Sequence, residues 1–451
     1  MARIDRRMWR EPSTPAGLIS QARALARPLR GPDDLGPLID RIGDARFVLL
    51  GEASHGTSEF YSWRAAISRR LIVEEGFSFI AVEGDWPDCY RVDRYVKGRA
   101  DAAGSARETL RAFERWPTWM WANEDVVALA EWLRRRNDSV PEGRKVGFYG
   151  LDVYSLWESL HAIVGYLKKH DPSALPAALA AFRCFEPYAE DVHDYARAAR
   201  FAPNSCEREV VELLKEVRRA KGRDEPPSAD EREARFAAEQ NALVLRDAET
   251  YYRIMVRGGP DTWNLRDRHM VETLERLMEF HGPDARAIVW EHNTHVGDAR
   301  YTDMADRGEV NVGQLVRERR GDEGVVLVGF GAHRGTVLAG REWEAPMERM
   351  PVPPGREGSW EDVFHRALGS DALVVFDEAS RTPEALEPRG HRAIGVVYHP
   401  EYERLGNYVP TVLPRRYDAF LHLEHARALR ALHGIPVREG GEVPETYPSG
   451  V

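Results

Sequence analysis

The chain has few cysteines, no long apolar run and little net charge. Its 451 residues include only three cysteines, Cys89, Cys184 and Cys206, and none has C-x-x-C spacing. A disulfide framework needs a larger, even number of cysteines, so the sequence predicts a protein of a reducing compartment. It contains no run of about 20 apolar residues, so we expect no membrane-spanning helix.

Charge and composition narrow the classes of partner. The 63 basic and 73 acidic side chains give a net charge of −10 and are mixed along the chain. This pattern disfavours nucleic acid and anionic membranes as the main partner. Residues 1–10 are charged and lack the apolar core of a secretory signal. We therefore expect a cytoplasmic protein that binds a small molecule, and the sequence leaves its oligomeric state open.

Several widespread catalytic motifs are missing from the sequence. There is no G-x-S-x-G nucleophile elbow, no H-E-x-x-H zinc motif and no G-x-x-x-x-G-K-[ST] phosphate loop. Residues 329–335 have G-x-G-x-x-x-G spacing, which departs from the dinucleotide-binding fingerprint. We predict a tight turn in that stretch.

The sequence does contain short apolar runs that alternate with amphipathic helices. Strands are predicted at residues 47–50, 79–82, 146–149, 288–290, 325–329, 372–376 and 394–398, and an exposed loop at 345–358. Such alternation is typical of parallel βαβ units. It predicts an α/β fold in which two parallel-sheet halves, related by duplication, flank a long helical insert.

The same pattern predicts four regions along the chain. They are an N-terminal α/β half at 1–155, a helical section at 156–280, a C-terminal α/β half at 281–433 and a flexible tail at 434–451. The helical section is a candidate lid, although the sequence does not distinguish a lid from a scaffold.

Two similar polar motifs follow predicted strands in the two halves. Gly51–Gly56 reads Gly-Glu-Ala-Ser-His-Gly, and Glu291–Gly297 reads Glu-His-Asn-Thr-His-Val-Gly. The carboxyl ends of parallel strands open into a common crevice, which is where α/β proteins bind ligands. We therefore expect one active site that is built from both halves of the chain.

Glu52 and His55 are the first candidates for catalysis. They lie three residues apart at a strand-to-helix turn, so both can face the crevice. A neutral imidazole can take a proton from water, and a neighbouring carboxylate fixes its tautomer and stabilises the imidazolium that forms. The alternative is that Glu52 caps the helix and His55 is a packed polar residue.

Glu83 ends the next predicted strand. If the two strands are neighbours, Glu52 and Glu83 lie close together, and paired carboxylates in a cleft are typical of a site that holds a proton or a metal ion. The alternative is a salt bridge between Glu83 and an arginine such as Arg64.

His292 and His295 follow the strand in the second half. A neutral imidazole there can donate a hydrogen bond to a carbonyl oxygen as it becomes an oxyanion. Together with Glu52, His55 and Glu83, the same histidines could instead hold Zn²⁺, Mn²⁺ or Fe²⁺. The residue types leave both interpretations open.

Side chains near other strand ends are candidates for substrate contacts. Trp86 belongs to a tryptophan-rich region, and such aromatics either line an apolar ligand pocket or form a local aromatic core. His333 follows the predicted strand at 325–329 and is expected to border the cleft.

Taken together, these motifs resemble the erythromycin esterase family, whose members open macrolide lactones by hydrolysis. The resemblance extends from about residue 45 to 420. It is carried by residues 51–56, 82–85, 148–152, 266–270, 290–295 and 329–335.

The resemblance implies an α/β hydrolase that needs no metal cofactor and in which His55 activates water. It also implies a role in catalysis for Glu52, Glu83, Arg64 and His292. The residues expected to contact the substrate are His295, Asp85, Trp86, Arg266 and His333.

Two stretches depart from the drug-resistance esterases. Residues 84–90 resemble the environmental branch of the family, and residues 270–273 read Met-Val-Glu-Thr where Met-Ala-Glu-Asn is usual. Both border the substrate, so a macrolide, with antibiotic resistance as the outcome, and another small ester or lactone are both open. Two further alternatives are a metal-dependent hydrolase that uses the same Glu/His cluster and a catalytically silent binding protein.

Overall fold

The computed structural model describes residues 11–188, 195–196, 205–219, 228–255 and 259–434. These residues form two compact units. The first unit comprises residues up to 80, 110–129 and from 285 onward, and the second comprises residues 81–109 and 130–284. The predicted tail at 434–451 lies outside the described residues, except for residue 434. The four predicted regions and the duplication stay predictions.

The strands of the described residues are numbered in chain order. They are β1 (Arg27–Pro28), β2 (Phe47–Leu50), β3 (Phe79–Asp85), β4 (Gly147–Asp152), β5 (Ala287–Trp290), β6 (Val325–Ala339), β7 (Glu348–Val352), β8 (Ala372–Val375), β9 (Arg389–Arg392), β10 (Tyr408–Thr411) and β11 (Ala419–Ala426).

The α-helices are named by their bounds. They are Ala16–Leu25, Gly36–Ile42, Ser58–Glu74, Trp86–Lys97, Ala106–Arg111, Glu124–Asp138, Leu156–His170, Leu175–Phe185, Glu207–Arg219, Ala229–Met255, Pro260–His281, Asn293–Val296, Val312–Arg320, Trp360–Leu368, Glu403–Gly406 and Leu413–Arg416.

A mostly parallel sheet lies at the centre of the first unit. Its strand order is β1-β8-β11-β6-β2-β5, and the pairs β11/β6, β6/β2 and β2/β5 are parallel. All four residues of β2 and of β5 are apolar and buried. Such continuous apolar runs are typical of parallel strands that are covered on both faces. The predicted α/β class is confirmed.

The edges of this sheet differ from the sequence prediction. β8, β1 and β7 join antiparallel, and β9 and β10 form a separate antiparallel pair. The predicted loop at 345–358 contains β7, and the predicted strand at 394–398 forms only isolated bridges, such as Ile394 with Ser54. Both predictions were wrong because pairing with distant residues, rather than local pattern, decides where an edge strand forms.

The predicted turn at 329–335 was also wrong, because β6 continues as a strand through it. The glycines there make room for β11. A Cβ atom at Gly331 would press against the ring of Phe420, and one at Gly335 would collide with the backbone carbonyl of Ala426. Glycine in a strand can mark a close approach of neighbouring backbone instead of a turn.

The second unit contains β4 and most of β3, which are neighbours in the strand order, together with a long helical section. Between β4 and the end of this unit, the described residues form five α-helices, from Leu156–His170 to Pro260–His281. Their apolar faces share one core, which includes Leu160, Leu213 and Leu245. The predicted helical insert is therefore present, and its action as a lid stays a prediction.

A disulfide joins Cys184 and Cys206 in the second unit, whereas Cys89 is a buried free thiol. Their Cα atoms are 5.8 Å apart because helix Leu175–Phe185 packs against helix Glu207–Arg219. The count and spacing of the cysteines did not predict this pairing. No helix of the described residues is long and apolar enough to span a membrane. The cellular compartment stays a prediction.

The close contact between β6 and β11 leads to a prediction about Gly335. This residue has a φ of +150°, and any Cβ would displace β11. Gly335→Ala is therefore expected to lower the free energy of unfolding by about 2 kcal/mol or more. Gly36→Ala is the control, because Gly36 has helical backbone angles and open space around it. Urea unfolding would measure the free energy of unfolding of both variants. Equal stabilities would contradict the packing argument.

Candidate active site

The pairing of β2 with β5 places the two polar motifs side by side. Leu50 lies opposite Trp290 in a parallel register. Just beyond the strands, the backbone N–H of Asn293 donates to the carbonyl of Glu52 at 2.8 Å. The loops that carry Glu52 and His292 therefore run next to each other within the first unit.

The glycines of the first motif are required by close packing. A Cβ atom at Gly51 would collide with the side-chain oxygen of Asn293, and one at Gly56 would collide with the carbonyl of Leu338. The carbonyl of Gly56 accepts hydrogen bonds from the backbone N–H groups of Leu338 and Leu429, each at 3.0 Å. These contacts hold the ends of the loop and so fix the backbone that carries Glu52 and His55.

Glu52 and His55 form a buried hydrogen-bonded pair. His55 Nδ1 lies 2.9 Å from Glu52 Oε1, and the two side chains are only 2% and 1% exposed. An ionised carboxylate can only accept, so Nδ1 carries the proton and neutral His55 has its lone pair on Nε2. The pair has the orientation that a general base requires.

Arg64 neutralises the charge of Glu52. Its Nη2 donates to Glu52 Oε2 at 2.6 Å, and its guanidinium lies 4.4 Å from the ring centroid of Tyr61 and 4.7 Å from that of Trp290. The side chain is fully buried. The salt bridge suggested between Arg64 and Glu83 was wrong: Arg64 pairs with Glu52, because both project from the same strand–loop–helix segment.

His292 lies beside His55 but has the opposite tautomer. The ring centroids are 4.9 Å apart, with an angle of 43° between the planes. His292 Nδ1 accepts from the backbone N–H of Thr294 at 3.3 Å and lies 2.8 Å from the Thr294 hydroxyl. The neutral ring therefore carries its proton on Nε2. One imidazole thus presents a lone pair on Nε2 and its neighbour presents an N–H.

His295 lies on the short helix Asn293–Val296 and is fully buried. Its backbone N–H donates to the carbonyl of His292 at 2.9 Å, which closes the turn around that residue. The structure thus brings Glu52, His55, Arg64 and His292 together, and places His295 in the turn behind them. The substrate contact expected for His295 stays a prediction.

Three other charged residues meet in the second unit. Arg266 Nη2 lies 2.7 Å from both Glu83 Oε1 and Asp152 Oδ2, and its Nε donates to Asp152 Oδ1 at 2.9 Å. Burial by itself would lower the pKa of Arg266, but Asp152, Tyr154 and Glu83 raise it well above its usual value. Glu83 therefore has the arginine partner that the alternative interpretation required, and that partner is Arg266. The expected approach of Glu83 to Glu52 stays a prediction.

The remaining sequence candidates have varied surroundings. Trp86 is fully buried and stacks on Tyr90 and Tyr149, with 8° between the ring planes in each case, so it lies within an aromatic core. Asp85 is the N-cap residue of helix Trp86–Lys97. His333 packs against His365. Their roles in substrate binding stay predictions.

Sequence reasoning missed two residues that orient the candidates. Thr294 fixes the ring of His292, and the signal was present as a hydroxyl two residues after the histidine. Asp152 holds Arg266, and its signal was a carboxylate at the end of an apolar run. The sequence positions of Thr294 and Asp152 do not predict which side chain each will contact, because the contact depends on the conformation of the folded chain.

The chain is similar to known proteins over most of its length. The family model for erythromycin esterase matches residues 72–426. An erythromycin esterase type II from Escherichia coli is 23% identical over 364 residues, which cover 76% of this chain and 84% of the relative.

Two solved structures have a similar fold. One is a protein from Bacillus cereus, which is 19% identical, with a TM-score of 0.74 over 93% of this chain and all of that chain (100%). The other is a mutant of the erythromycin esterase EreC in its open conformation, which is 18% identical, with a TM-score of 0.64 over 92% of this chain and 97% of that chain.

The buried pair of Arg64 and Glu52 leads to a stability prediction. Arg64→Met would leave the Glu52 carboxylate buried without its cation, and such losses typically cost about 3–5 kcal/mol. Arg70→Met is a matched control on the same helix, because Arg70 forms an exposed pair with Glu74 that is worth about 1 kcal/mol or less. Urea unfolding should separate the two variants clearly. Similar losses of stability in the two variants would mean that the buried ion pair contributes no more than the exposed one.

Proposed function

The chain belongs to the erythromycin esterase family of hydrolases, and we propose that it cleaves an ester or lactone bond with water that is activated by His55. One observation carries the proposal: His55 and His292 are adjacent imidazoles with opposite tautomers. Such a pair can accept a proton from water and donate a hydrogen bond to a carbonyl oxygen at the same time.

The first half of this reaction uses His55 as a general base. Its Nε2 takes a proton from water while Glu52 accepts the hydrogen bond from Nδ1–H and stabilises the imidazolium that forms. Arg64 pairs with the Glu52 carboxylate and offsets its charge in this buried setting. General-base catalysis of this kind is typically worth about 10²–10⁴-fold in rate.

The second half uses His292 as a hydrogen-bond donor. As the water oxygen attacks the carbonyl carbon, negative charge develops on the carbonyl oxygen, and His292 Nε2–H donates to it. Thr294 holds this ring in the required tautomer. Since the two rings are 4.9 Å apart, one ester group can meet both. The buried setting strengthens such contacts because the local dielectric constant is low.

Collapse of the tetrahedral intermediate breaks the bond between the carbonyl carbon and the ester oxygen. The imidazolium of His55 returns its proton to the leaving alkoxide, so the products are a carboxylic acid and an alcohol. Water is the nucleophile in this scheme. The nearby Ser54 hydroxyl is hydrogen-bonded to the hydroxyl of Thr57, which supports assigning it a structural role.

The names of the relatives suggest which substrates to test. Because two of them are named erythromycin esterase, macrolide lactones are the first compounds to test, followed by simple lactones and other small esters. The sequence motifs alone suggest that Glu83 positions water and that Asp85, Trp86 and Arg266 contact the substrate, and these roles stay predictions.

His55→Ala is expected to lower kcat by at least about 100-fold on any substrate found in this panel, because it removes the base. The exposed His425 on β11 offers a matched control, and His425→Ala should retain wild-type turnover. Each assay is run with and without a chelator. Near-normal kcat in His55→Ala would contradict the scheme. Activity that is lost with chelator and restored by added metal would favour the metal-dependent alternative.

Glu52→Gln tests the tautomer. The amide can present an N–H to His55 Nδ1, which would move the ring proton to Nε2 and abolish the basic lone pair there. We expect kcat to fall by about 10²–10⁴-fold with KM little changed, while circular dichroism shows a folded protein. An unchanged kcat would show that the carboxylate does not set the orientation of His55.

A further inference from the structure

A second group of polar side chains converges in the first unit, and the proposed hydrolysis assigns it no catalytic step. Its members are His333 on β6, Glu424 on β11 and His365 on helix Trp360–Leu368. Each offers one ligand atom, and these atoms all lie within 4.8 Å of one another. We call these residues and His422, which lies beside them, the three-histidine cluster.

The sheet register explains how the cluster forms. β6 and β11 are parallel, with Ala332 opposite Leu423 and Arg334 opposite His425, so His333 and Glu424 lie at the same level. His422 precedes Glu424 by two residues and therefore faces the same side of the sheet. Helix Trp360–Leu368 covers this side: the Phe364 ring stacks on Phe420 at 5.4 Å and lies 5.5 Å from the His422 ring.

The distances within the cluster are short. His365 Nδ1 lies 3.0 Å from both carboxylate oxygens of Glu424, and His422 Nε2 lies 3.8 Å from Glu424 Oε2. The His333 and His365 rings stack at 3.8 Å, with 7° between their planes. Three imidazoles thus surround one carboxylate.

Several nitrogens of the cluster lack hydrogen bonds. Within the described part of the chain, His333 Nδ1 and both ring nitrogens of His422 are buried without a hydrogen-bond partner. The two residues are 4% and 0% exposed. Leaving buried polar atoms unsatisfied costs free energy, so each such group calls for an explanation. Coordination of a cation would satisfy one lone pair on each ring.

We propose that the three-histidine cluster binds one divalent transition-metal ion of the zinc type. His333, His365 and Glu424 supply three ligands, and His422, whose Nε2 lies 3.8 Å from Glu424 Oε2, is the candidate for a fourth. Imidazole nitrogens with a single carboxylate are donors that Zn²⁺ favours. This site is separate from the Glu52–His55 pair and does not rest on the proposed hydrolysis.

The donor types in the cluster suit a cation. The carboxylate of Glu424 lies among the imidazoles of His365 and His422, and both kinds of group bind metal ions through unprotonated atoms. Arg334, an exposed cation 4.0 Å from Glu424, opposes binding only weakly through solvent.

Binding requires one ring to turn. The stacked rings of His333 and His365 lie in nearly parallel planes, whereas the lone pairs of two ligands must converge on one ion. The side chain of His365 is 39% exposed, so it has room to rotate toward Glu424, and the same opening gives the ion access. The bound ion would then link helix Trp360–Leu368 to β6 and β11.

Zinc binding to the full chain tests the proposal. After treatment with a chelator, the protein is dialysed against buffered Zn²⁺, and bound metal is measured by elemental analysis. We expect one Zn²⁺ per wild-type chain. Loss of an outer-shell partner typically weakens binding about 10–100-fold, so loss of a ligand in His365→Ala or Glu424→Gln should weaken it at least about 100-fold. His425→Ala is the matched control on β11 and should bind like wild type.

Two further measurements make the result decisive. Circular dichroism should show that His365→Ala is folded, because this side chain is partly exposed. Visible absorption of bound Co²⁺ should appear in the wild type and in His425→Ala, and be absent from the two ligand variants. The proposal is overturned if the wild type binds no Zn²⁺ at micromolar free metal, if His365→Ala binds it as tightly as the wild type, or if His425→Ala loses binding equally.

Discussion

The parallel pairing of β2 with β5 is the constraint on which the candidate site depends. Side chains alternate between the faces of a strand, so a slip of one residue would send each motif to the wrong side. The register of Leu50 against Trp290 and the bond from Asn293 N–H to the Glu52 carbonyl exclude such a slip. The geometry of the candidate site is therefore a consequence of sheet register, because its residues directly follow the ends of the two strands.

The sequence predicted β2, β3, β4, β5, β8 and the start of β6. It missed β1, β7, β9 and β10, and also β11, which lies between β6 and β8. Residues 47–50 form β2 as expected, because a fully buried parallel strand is apolar at every position. β7 contains a proline and polar residues, so its sequence resembles a loop, and only its pairing with β6 makes it a strand. The glycines at 331 and 335 led to the wrong prediction of a turn for a related reason: they accommodate β11, which is distant in sequence.

The candidate site, too, was only partly predictable from the sequence. The spacing of Glu52 and His55 was sufficient to predict their contact, because three residues across a strand-to-helix turn leave few arrangements. The partner of Arg64 and the tautomer of His292 depend on how buried groups satisfy each other, which no local pattern encodes. The three-histidine cluster is the extreme case, since its members come from two strands and a helix of separate sequence regions.

The position of β2 in the sheet also has a consequence for biosynthesis. Its two neighbours are β5 and β6, so neither edge of β2 can pair until residues 287–290 or 325–328 have been synthesised. Until the ribosome has made residues 287–290 or 325–328, this fully apolar segment has no partner strand, and exposed apolar strand edges promote aggregation. Pairings between such distant residues also slow folding. We therefore expect the nascent chain to depend on chaperones.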